Sequence, residues 1–381
     1  MKKLLYSVAV ALLLAACASD NVEPPALLKD ITKPQYRIDE LWSRWIDASE
    51  AKLRVNLRVV HDDHDLYIAT NSGTVYAFEL KSGGTDWKAK TKLTLDAGPA
   101  LGNGMVVVAS SGGTVVALDE RNGKTLWTSN VMGEVLATPA IGPGSVIVRT
   151  TDGRVLALSN DNGRQLWKTA YDVPRLSLRG AGDPVIRGRM VLVGLDDGKL
   201  VALNLDDGTQ MWQATVTTPT GSDELARLTD VDGDLAVSDD HVYAVGYHGQ
   251  TVSVARANGQ IEWARDLTSY TGVTLDGDYL YVTDLHSAVW CLDRRTGVPV
   301  WTQPAMRAHD LTLPVPFGDS LVLGGIDGHV HFISKKDGAE VARTQLGSAP
   351  ILAPPVVLGD EVLVLTTGGT VAAFQVTPIG G

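Results

Sequence analysis

A short acidic segment is the first candidate for chemistry in this chain. Residues 230–234 read Asp-Val-Asp-Gly-Asp, a spacing that could begin a calcium-binding loop. An EF-hand loop requires glycine at its sixth position and glutamate at its twelfth. Here Gly233 is fourth and His241 is twelfth. The segment therefore lacks the pattern that calcium binding of this kind requires, and metal binding is not favoured.

Two histidine-containing segments offer other ligands, but neither is complete as a site. His329 and His331 stand two apart in a predicted strand, so their side chains share a face. A zinc site needs at least a third protein ligand, and none is near them in the sequence, which favours an incidental pair. Residues 61–65 are interpreted as a solvated turn. Nucleophile-elbow, phosphate-loop and CxxC motifs do not occur, so we expect no catalytic residue, metal or cofactor.

The two cysteines lie in different surroundings. Cys17 follows a basic start and an apolar run from Leu4 to Ala16, which is typical of a signal peptide. Residues 14–17 resemble a lipobox, in which the cysteine is acylated; the alternative is an ordinary signal peptide with an incidental cysteine. Acyl chains on Cys17 would anchor the protein to a membrane. Because Ala18 rather than aspartate follows, we expect the anchor to lie at the periplasmic face of an outer membrane.

The overall charge excludes one class of partner. The sequence has 33 basic and 44 acidic residues, a formal net charge of −11, and removal of Lys2 and Lys3 with a signal peptide would make it −13. Such a surface repels nucleic acid and anionic membranes. We therefore expect no nucleic-acid binding, and we expect membrane attachment only through the lipid.

Tryptophans and glycines recur about every forty residues along the chain. Glycines stand four residues before six of the tryptophans, and glycines or Ser287 stand fourteen before. A seventh repeat has Ala342 where the tryptophan is expected, and an eighth begins at Gly369 but is incomplete. The tryptophan series is Trp45, Trp87, Trp127, Trp167, Trp212, Trp263 and Trp301.

Each repeat contains the signals of four short strands joined by glycine-containing turns, which is typical of one propeller blade. The fold class is therefore all-β, an eight-bladed β-propeller of four-stranded antiparallel blades. Residues 41–46, around Trp45, are predicted to supply the missing outer strand of blade eight and to close the ring. Cys291 takes a position that is small in other repeats, so it is interpreted as a small buried hydrophobe.

The repeat pattern also divides the chain. We predict a lipoprotein signal peptide at 1–16, a lipidated flexible tether at 17–38, the propeller at 39–377 and a tail at 378–381. Repeat spacing is stretched between Trp167 and Trp212 and again between Trp212 and Trp263. Both insertions connect one blade to the next, so they should emerge on the same face from neighbouring blades. Insertions on one face are where repeat proteins place binding function.

The repeat resembles that of a known superfamily. Residues 113–127 read Gly-x-Val-x-Ala-Leu-Asp followed by Gly-x-x-x-Trp, with a close variant at 198–212, and this unit is similar to that of pyrroloquinoline-quinone propellers. Dehydrogenases of that superfamily carry adjacent cysteines over the quinone, and this chain has none. A lipobox followed by eight such blades resembles instead the BamB family of outer-membrane assembly lipoproteins.

The BamB resemblance implies a function and a site. It implies a non-enzymatic scaffold of the β-barrel assembly machinery (BAM complex) that binds the periplasmic POTRA domains of BamA. The family's contact residues correspond to Leu176, Leu178 and Arg179 in one insertion and to Asp230 and Asp232 in the other. The leucines could instead pack on a blade, and the charged residues could form a local salt bridge. Contact with nascent outer-membrane proteins remains open, as do the alternatives of a periplasmic quinoprotein-like dehydrogenase or a small-ligand-binding propeller.

Overall fold

The computed structural model describes residues 24–47, 56–176, 182–218 and 228–380, which form eight blades of antiparallel strands. In chain order the first half comprises β1 (Tyr36–Trp45), β2 (Asn56–Leu57), β3 (Val59–His61), β4 (Asp65–Ala69), β5 (Thr74–Glu79), β6 (Thr85–Lys90), β7 (Leu95–Gly102), β8 (Met105–Ser110), β9 (Thr114–Asp119), β10 (Thr125–Asn130), β11 (Ala140–Gly142), β12 (Ser145–Arg149), β13 (Arg154–Ser159), β14 (Gln165–Ala170), β15 (Val185–Arg187), β16 (Met190–Gly194), β17 (Lys199–Asn204) and β18 (Gln210–Thr215).

The second half has the same organisation. It comprises β19 (Ala236–Val237), β20 (His241–Val245), β21 (Thr251–Ala255), β22 (Ile261–Arg265), β23 (Thr274–Asp276), β24 (Tyr279–Thr283), β25 (Val289–Asp293), β26 (Pro299–Gln303), β27 (Val315–Phe317), β28 (Ser320–Gly324), β29 (His329–Ser334), β30 (Glu340–Gln345), β31 (Val356–Leu358), β32 (Glu361–Leu365) and β33 (Thr370–Pro378). No helix that could cross a membrane occurs among the described residues.

Consecutive strands form the blades. Blades one to seven are β3–β6, β7–β10, β11–β14, β15–β18, β19–β22, β23–β26 and β27–β30, and the short β2 adds a parallel edge to blade two. Blade eight consists of β31, β32 and β33 completed by β1. The first strands of neighbouring blades contact one another, which places them around the central axis. The predicted fold class is confirmed.

The ring is closed by the start of the chain pairing with its end. Strand β1 runs antiparallel to β33 from the pair Tyr36–Pro378 to the pair Trp45–Thr370. Strand β1 therefore supplies the outer strand of blade eight, as the sequence predicts. The strand pairing begins at Tyr36 and extends to Pro378.

Neighbouring blades share apolar cores because the strands alternate their side chains between two blade faces. Between blades two and three, for example, the buried side chains of Val107, Val115, Val146 and Leu156 belong to one cluster. Equivalent clusters lie between the other blades. A blade cannot bury both faces alone, so the repeat specifies a stacked ring.

Each repeat tryptophan fastens the outer strand of its blade to the next blade. The indole of Trp87 donates a hydrogen bond to the carbonyl of Glu120 at 2.8 Å. A Cβ at Gly123 would lie 2.5 Å from the same indole, and Gly123 has φ +68°. Both the close approach and the left-handed backbone require glycine there. This explains why tryptophan and glycine recur together in the sequence.

The first tryptophan of the series is Trp42, and the sequence-based choice of Trp45 is wrong. Trp42 pairs with Ala373 and donates to the Leu80 carbonyl at 2.9 Å, and its ring covers Gly83. Trp42 is 7% exposed, whereas Trp45 is 71% exposed. The register of β1 shifts between Glu40 and Trp42, and a bulge of this kind is not visible in repeat spacing.

The buried cysteine behaves as its position in the repeat predicts. Cys291 pairs with Trp301 in blade six, as Ala117 pairs with Trp127 at the same position of blade two. Cys291 is buried, and burial raises the pKa of its thiol to about 12. The interpretation of Cys291 as a small buried hydrophobe is therefore confirmed.

Candidate functional site

The described ends of both insertions lie on one face of the propeller. Residues 171–184 connect β14 to β15 and residues 216–235 connect β18 to β19. Because the four strands of each blade are antiparallel, every connection between blades emerges on this face, together with the turns between second and third strands. We call it the insertion face. The prediction that neighbouring blades present their insertions on the same side is confirmed.

Of the three predicted contact residues in the first insertion, only Leu176 belongs to the described residues. Leu176 is 42% exposed. Leu178 and Arg179 lie in residues 177–181, outside the described residues. Their part in partner binding stays a prediction.

The two insertions meet at Gly182, directly after the undescribed segment. The amide of Gly182 donates to Oδ1 of Asp232 at 3.2 Å. A Cβ on Gly182 would lie 2.8 Å from the Val231 carbonyl oxygen, so the two chains are in close contact. The end of the first insertion is thus held against the Asp-Val-Asp run of the second.

Asp230 and Asp232 are turned inward rather than presented on the surface. Asp230 is fully buried. Asp232 Oδ1, besides accepting from Gly182, lies 3.2 Å from Nη1 of Arg149. Asp232 therefore takes part in an intramolecular salt bridge, the alternative that the sequence left open, because the buried Arg149 draws its carboxylate into the body of the propeller. The part of Asp230 and Asp232 in partner binding stays a prediction.

Arg149 is the centre of a buried charge network. It ends β12, is almost completely buried, and pairs through Nη2 with Asp196 and through Nη1 with Asp232. Carboxylate oxygens of Asp196, Asp230 and Asp232 lie within 4.8 Å of one another. The guanidinium supplies positive charge to this acidic group, as a bound cation would.

The acidic excess perturbs one member of this network. Burial raises the pKa of Asp196 to about 6; Arg149 opposes the shift, and Asp232 adds to it. Arg149 itself has a raised pKa, because its burial is outweighed by Asp196 and Asp232. At neutral pH the pair of Arg149 and Asp196 is therefore ionic, and the arginine offsets the cost of burying that carboxylate.

The sequence contains a signal for Arg149 that the repeat analysis did not use. Arg149 pairs with Val155 at the end of the second strand of its blade. The equivalent position is Ala69 in blade one, Ala109 in blade two and Val245 in blade five. A charged residue at a position that is otherwise small or apolar indicates a buried ionic partner.

A second ion pair crosses the central axis. Both terminal nitrogens of Arg58 lie 2.6 Å from the Asp234 carboxylate, and Nη2 is also 3.3 Å from Asp183. Arg58 precedes blade one and Asp234 precedes blade five, which is opposite in a ring of eight. Burial lowers the pKa of Arg58, but Asp234 and Asp183 outweigh it and raise the value. Charged side chains thus occupy the axis.

The geometry describes a class of protein first. A closed ring of eight four-stranded antiparallel blades, with two insertions joined on one face, places the chain among the eight-bladed β-propellers. Quinohemoprotein alcohol dehydrogenase from Comamonas testosteroni shares the fold, with a TM-score of 0.72 over 95% of this chain, but only 14% sequence identity.

Closer similarity identifies the family. The family described as "Outer membrane protein assembly factor BamB" matches residues 71–303 and 299–377. The BamB of Pseudomonas aeruginosa is 40% identical over 370 residues, 97% of either chain, and that of Alkalilimnicola ehrlichii is 42% identical over 98% of this chain and 97% of its own. The crystal structure of BamB from Moraxella catarrhalis has a TM-score of 0.81 at 25% identity, covering 89% of this chain and all of that one.

The chain therefore belongs to the BamB family of outer membrane protein assembly factors. The resemblance in the repeats is confirmed at full length. Family membership also confirms the prediction that this propeller is not an enzyme, because the dehydrogenases share its fold at only 14% identity.

Proposed function

We propose that this chain binds the POTRA domains of BamA and serves as a scaffold of the BAM complex at the periplasmic face of the outer membrane. The observation that carries the proposal is the contact between Gly182 and Asp232, which joins the two insertions on one face. Family membership and the exposed Leu176 support it. Assistance to the folding and insertion of outer-membrane proteins follows from that place in the complex.

In this proposal the first insertion makes the contact. Leu176 and Leu178 supply apolar surface, and Arg179 supplies directed hydrogen bonds from its planar guanidinium to carboxylates or carbonyls of the partner. The exposure of Leu176 is consistent with a place at the interface centre. Covering such an apolar side chain with a partner would stabilise the complex.

Asp230 and Asp232 act in this proposal as positioning residues. Gly182 is three residues beyond Arg179, and its amide is held by Asp232. Loss of that carboxylate would release the end of the insertion that carries Arg179. The aspartates would then affect partner binding without touching the partner.

Arg179→Glu is expected to weaken binding to isolated POTRA domains by about 30-fold or more. Truncating or reversing one charge of a desolvated interfacial pair costs about 2–5 kcal/mol, because the partner group is left unpaired. The affinity of the full chain in detergent would be measured by calorimetry, beside a thermal melt.

The matched control is Arg175→Glu, an exposed arginine in the same insertion. It makes the same change of charge and should keep most of the affinity. Wild-type affinity in Arg179→Glu, or equal losses in both variants, would contradict the proposed contact. A lowered melting temperature in Arg179→Glu would assign the residue a structural role instead.

We also propose that Cys17 carries the lipid anchor. Cys17 lies outside the described residues, but the described part of the tether contacts the insertion face. There the amide of Ala26 donates to the Arg307 carbonyl at 3.0 Å. The described part of the tether therefore leaves the propeller beside blades six and seven.

Cys17→Ser is expected to abolish incorporation of labelled palmitate and to release the protein from the membrane fraction. The serine hydroxyl is a much weaker nucleophile than a thiolate and cannot form the thioether. Cys291→Ser, which changes the buried cysteine instead, should leave labelling unchanged. Palmitate in the Cys17→Ser chain would exclude the lipobox interpretation.

A further inference from the structure

Three of the eight histidines gather with acidic side chains between blades six and seven. The sequence pairs only His329 with His331, but the fold adds His309, which precedes β27, and Asp327, which lies in the turn before β29. Ligand atoms of His309, Asp327 and His331 all lie within 4.8 Å of one another. The third ligand that the sequence lacks is thus supplied by tertiary contacts.

His331 presents a buried nitrogen toward this group. Its side chain is fully buried, and its Nδ1 lies 2.7 Å from Oε1 of Glu340. Its Nε2 has no hydrogen-bond partner within the described part of the chain. A buried nitrogen without a partner costs free energy, and this nitrogen is free to bind a cation. An imidazole whose other nitrogen is fixed by a carboxylate is the usual arrangement of a metal-binding histidine.

His309 is oriented in a similar way. Its Nε2 lies 2.8 Å from the Ala26 carbonyl oxygen, which can only accept, so Nε2 carries a hydrogen. Its Nδ1 faces Asp327 Oδ2 at 3.1 Å. Nδ1 of His309 therefore faces the cluster that it forms with Asp327 and His331.

We propose that His309 Nδ1, Asp327 and His331 Nε2 form a binding site for a divalent transition-metal ion of the zinc type. Imidazole and carboxylate ligands suit zinc, whereas calcium and magnesium prefer oxygen alone. Bonds of about 2.0–2.1 Å would bring the ligand atoms of a tetrahedral site to roughly 3.4 Å apart. The side chains must therefore move closer by an ångström or so on binding.

His329 is available as the fourth ligand. It shares a face with His331, with ring centroids 5.8 Å apart, and its Nδ1 lies 2.9 Å from Asp327 Oδ2. Three imidazoles and one carboxylate would complete a tetrahedral set. The cluster of acidic side chains around Asp196 is not a comparable metal site, because Arg149 already neutralises it.

The test is a titration of the untagged full chain, purified in detergent and stripped with a chelator. Calorimetry with Zn²⁺ should give one equivalent, and Co²⁺ should give the visible absorption of a tetrahedral site. Asp327→Asn and His309→Ala should each weaken binding at least 100-fold. Glu340→Gln, which alters the support of His331 and the ion pair of Glu340 with Arg343, should weaken it about 10–100-fold.

The control is His64→Ala, an exposed histidine in blade one, which should bind Zn²⁺ as the wild type does. Asp327 lies in a partly exposed turn, so Asp327→Asn should fold even if His331 variants do not. Failure of the wild type to bind Zn²⁺ or Co²⁺, or unchanged binding in Asp327→Asn and His309→Ala, would overturn the proposal. None of these readouts depends on binding to BamA.

Discussion

Replacing Trp42 by alanine is expected to lower the free energy of unfolding by about 3–5 kcal/mol, the usual cost of truncating a buried aromatic side chain. The indole of Trp42 is 7% exposed, covers Gly83 and donates to the Leu80 carbonyl. It also lies in β1, which closes the ring between blades eight and one. The substitution would therefore weaken the packing where the first and last strands of the chain close the ring.

Trp45→Ala is the matched control, because it removes the same side chain three residues away in the same strand. Trp45 is 71% exposed, and its indole makes one hydrogen bond, of 3.2 Å, to the Gly368 carbonyl. Substitutions at such surface positions usually change stability by about 0.5 kcal/mol or less. Equilibrium unfolding in urea would compare the two. Similar costs for both variants would mean that Trp45, and not only Trp42, belongs to the core.

Arg149→Met is expected to destabilise the propeller by about 3–5 kcal/mol. Methionine fills similar space but leaves the Asp196 and Asp232 carboxylates buried without their cation, and breaking a buried pair by removing one partner has this cost. Affinity for POTRA domains should fall too, since Asp232 also holds Gly182.

Arg121→Met is the control for Arg149→Met. Arg121 pairs with Asp119 at 2.9 Å, but its side chain is exposed to solvent. Ion pairs of that kind contribute about 0–1 kcal/mol, so this variant should unfold close to the wild type. Adding Asp232→Asn to Arg149→Met should restore part of the lost stability. A wild-type melt for Arg149→Met would show that the buried network does not hold the insertion face together.

The destabilisation expected for Arg149→Met should depend on pH in a definite direction. Burial raises the pKa of Asp196 from 3.8 to about 6, so the folded state binds this proton more tightly than the unfolded state does. The contribution of Asp196 to stability therefore decreases as pH rises from about 4 to 6. Without Arg149 the carboxylate loses its counter-charge, and the deficit of the variant should be larger at pH 8 than at pH 5. Urea unfolding at the two pH values measures this difference.

The sequence by itself determined the number of blades, the antiparallel strands and the closure of the ring. Each of these rests on contacts that recur from blade to blade, such as Trp87 on Gly123, so the spacing of two residue types records them. The position of the insertions followed for the same reason, because strand direction decides on which face a connection emerges.

Only the tertiary structure decided which side chains meet at the functional surfaces. Trp42 replaces Trp45 because the register of β1 shifts within the strand. Asp232 turns inward because Arg149, 83 residues earlier, lies beside it. His331 gains His309 and Asp327 because adjacent blades bring separate connections together. These contacts occur once rather than in every repeat, and single long-range contacts between charged groups leave no period in a sequence.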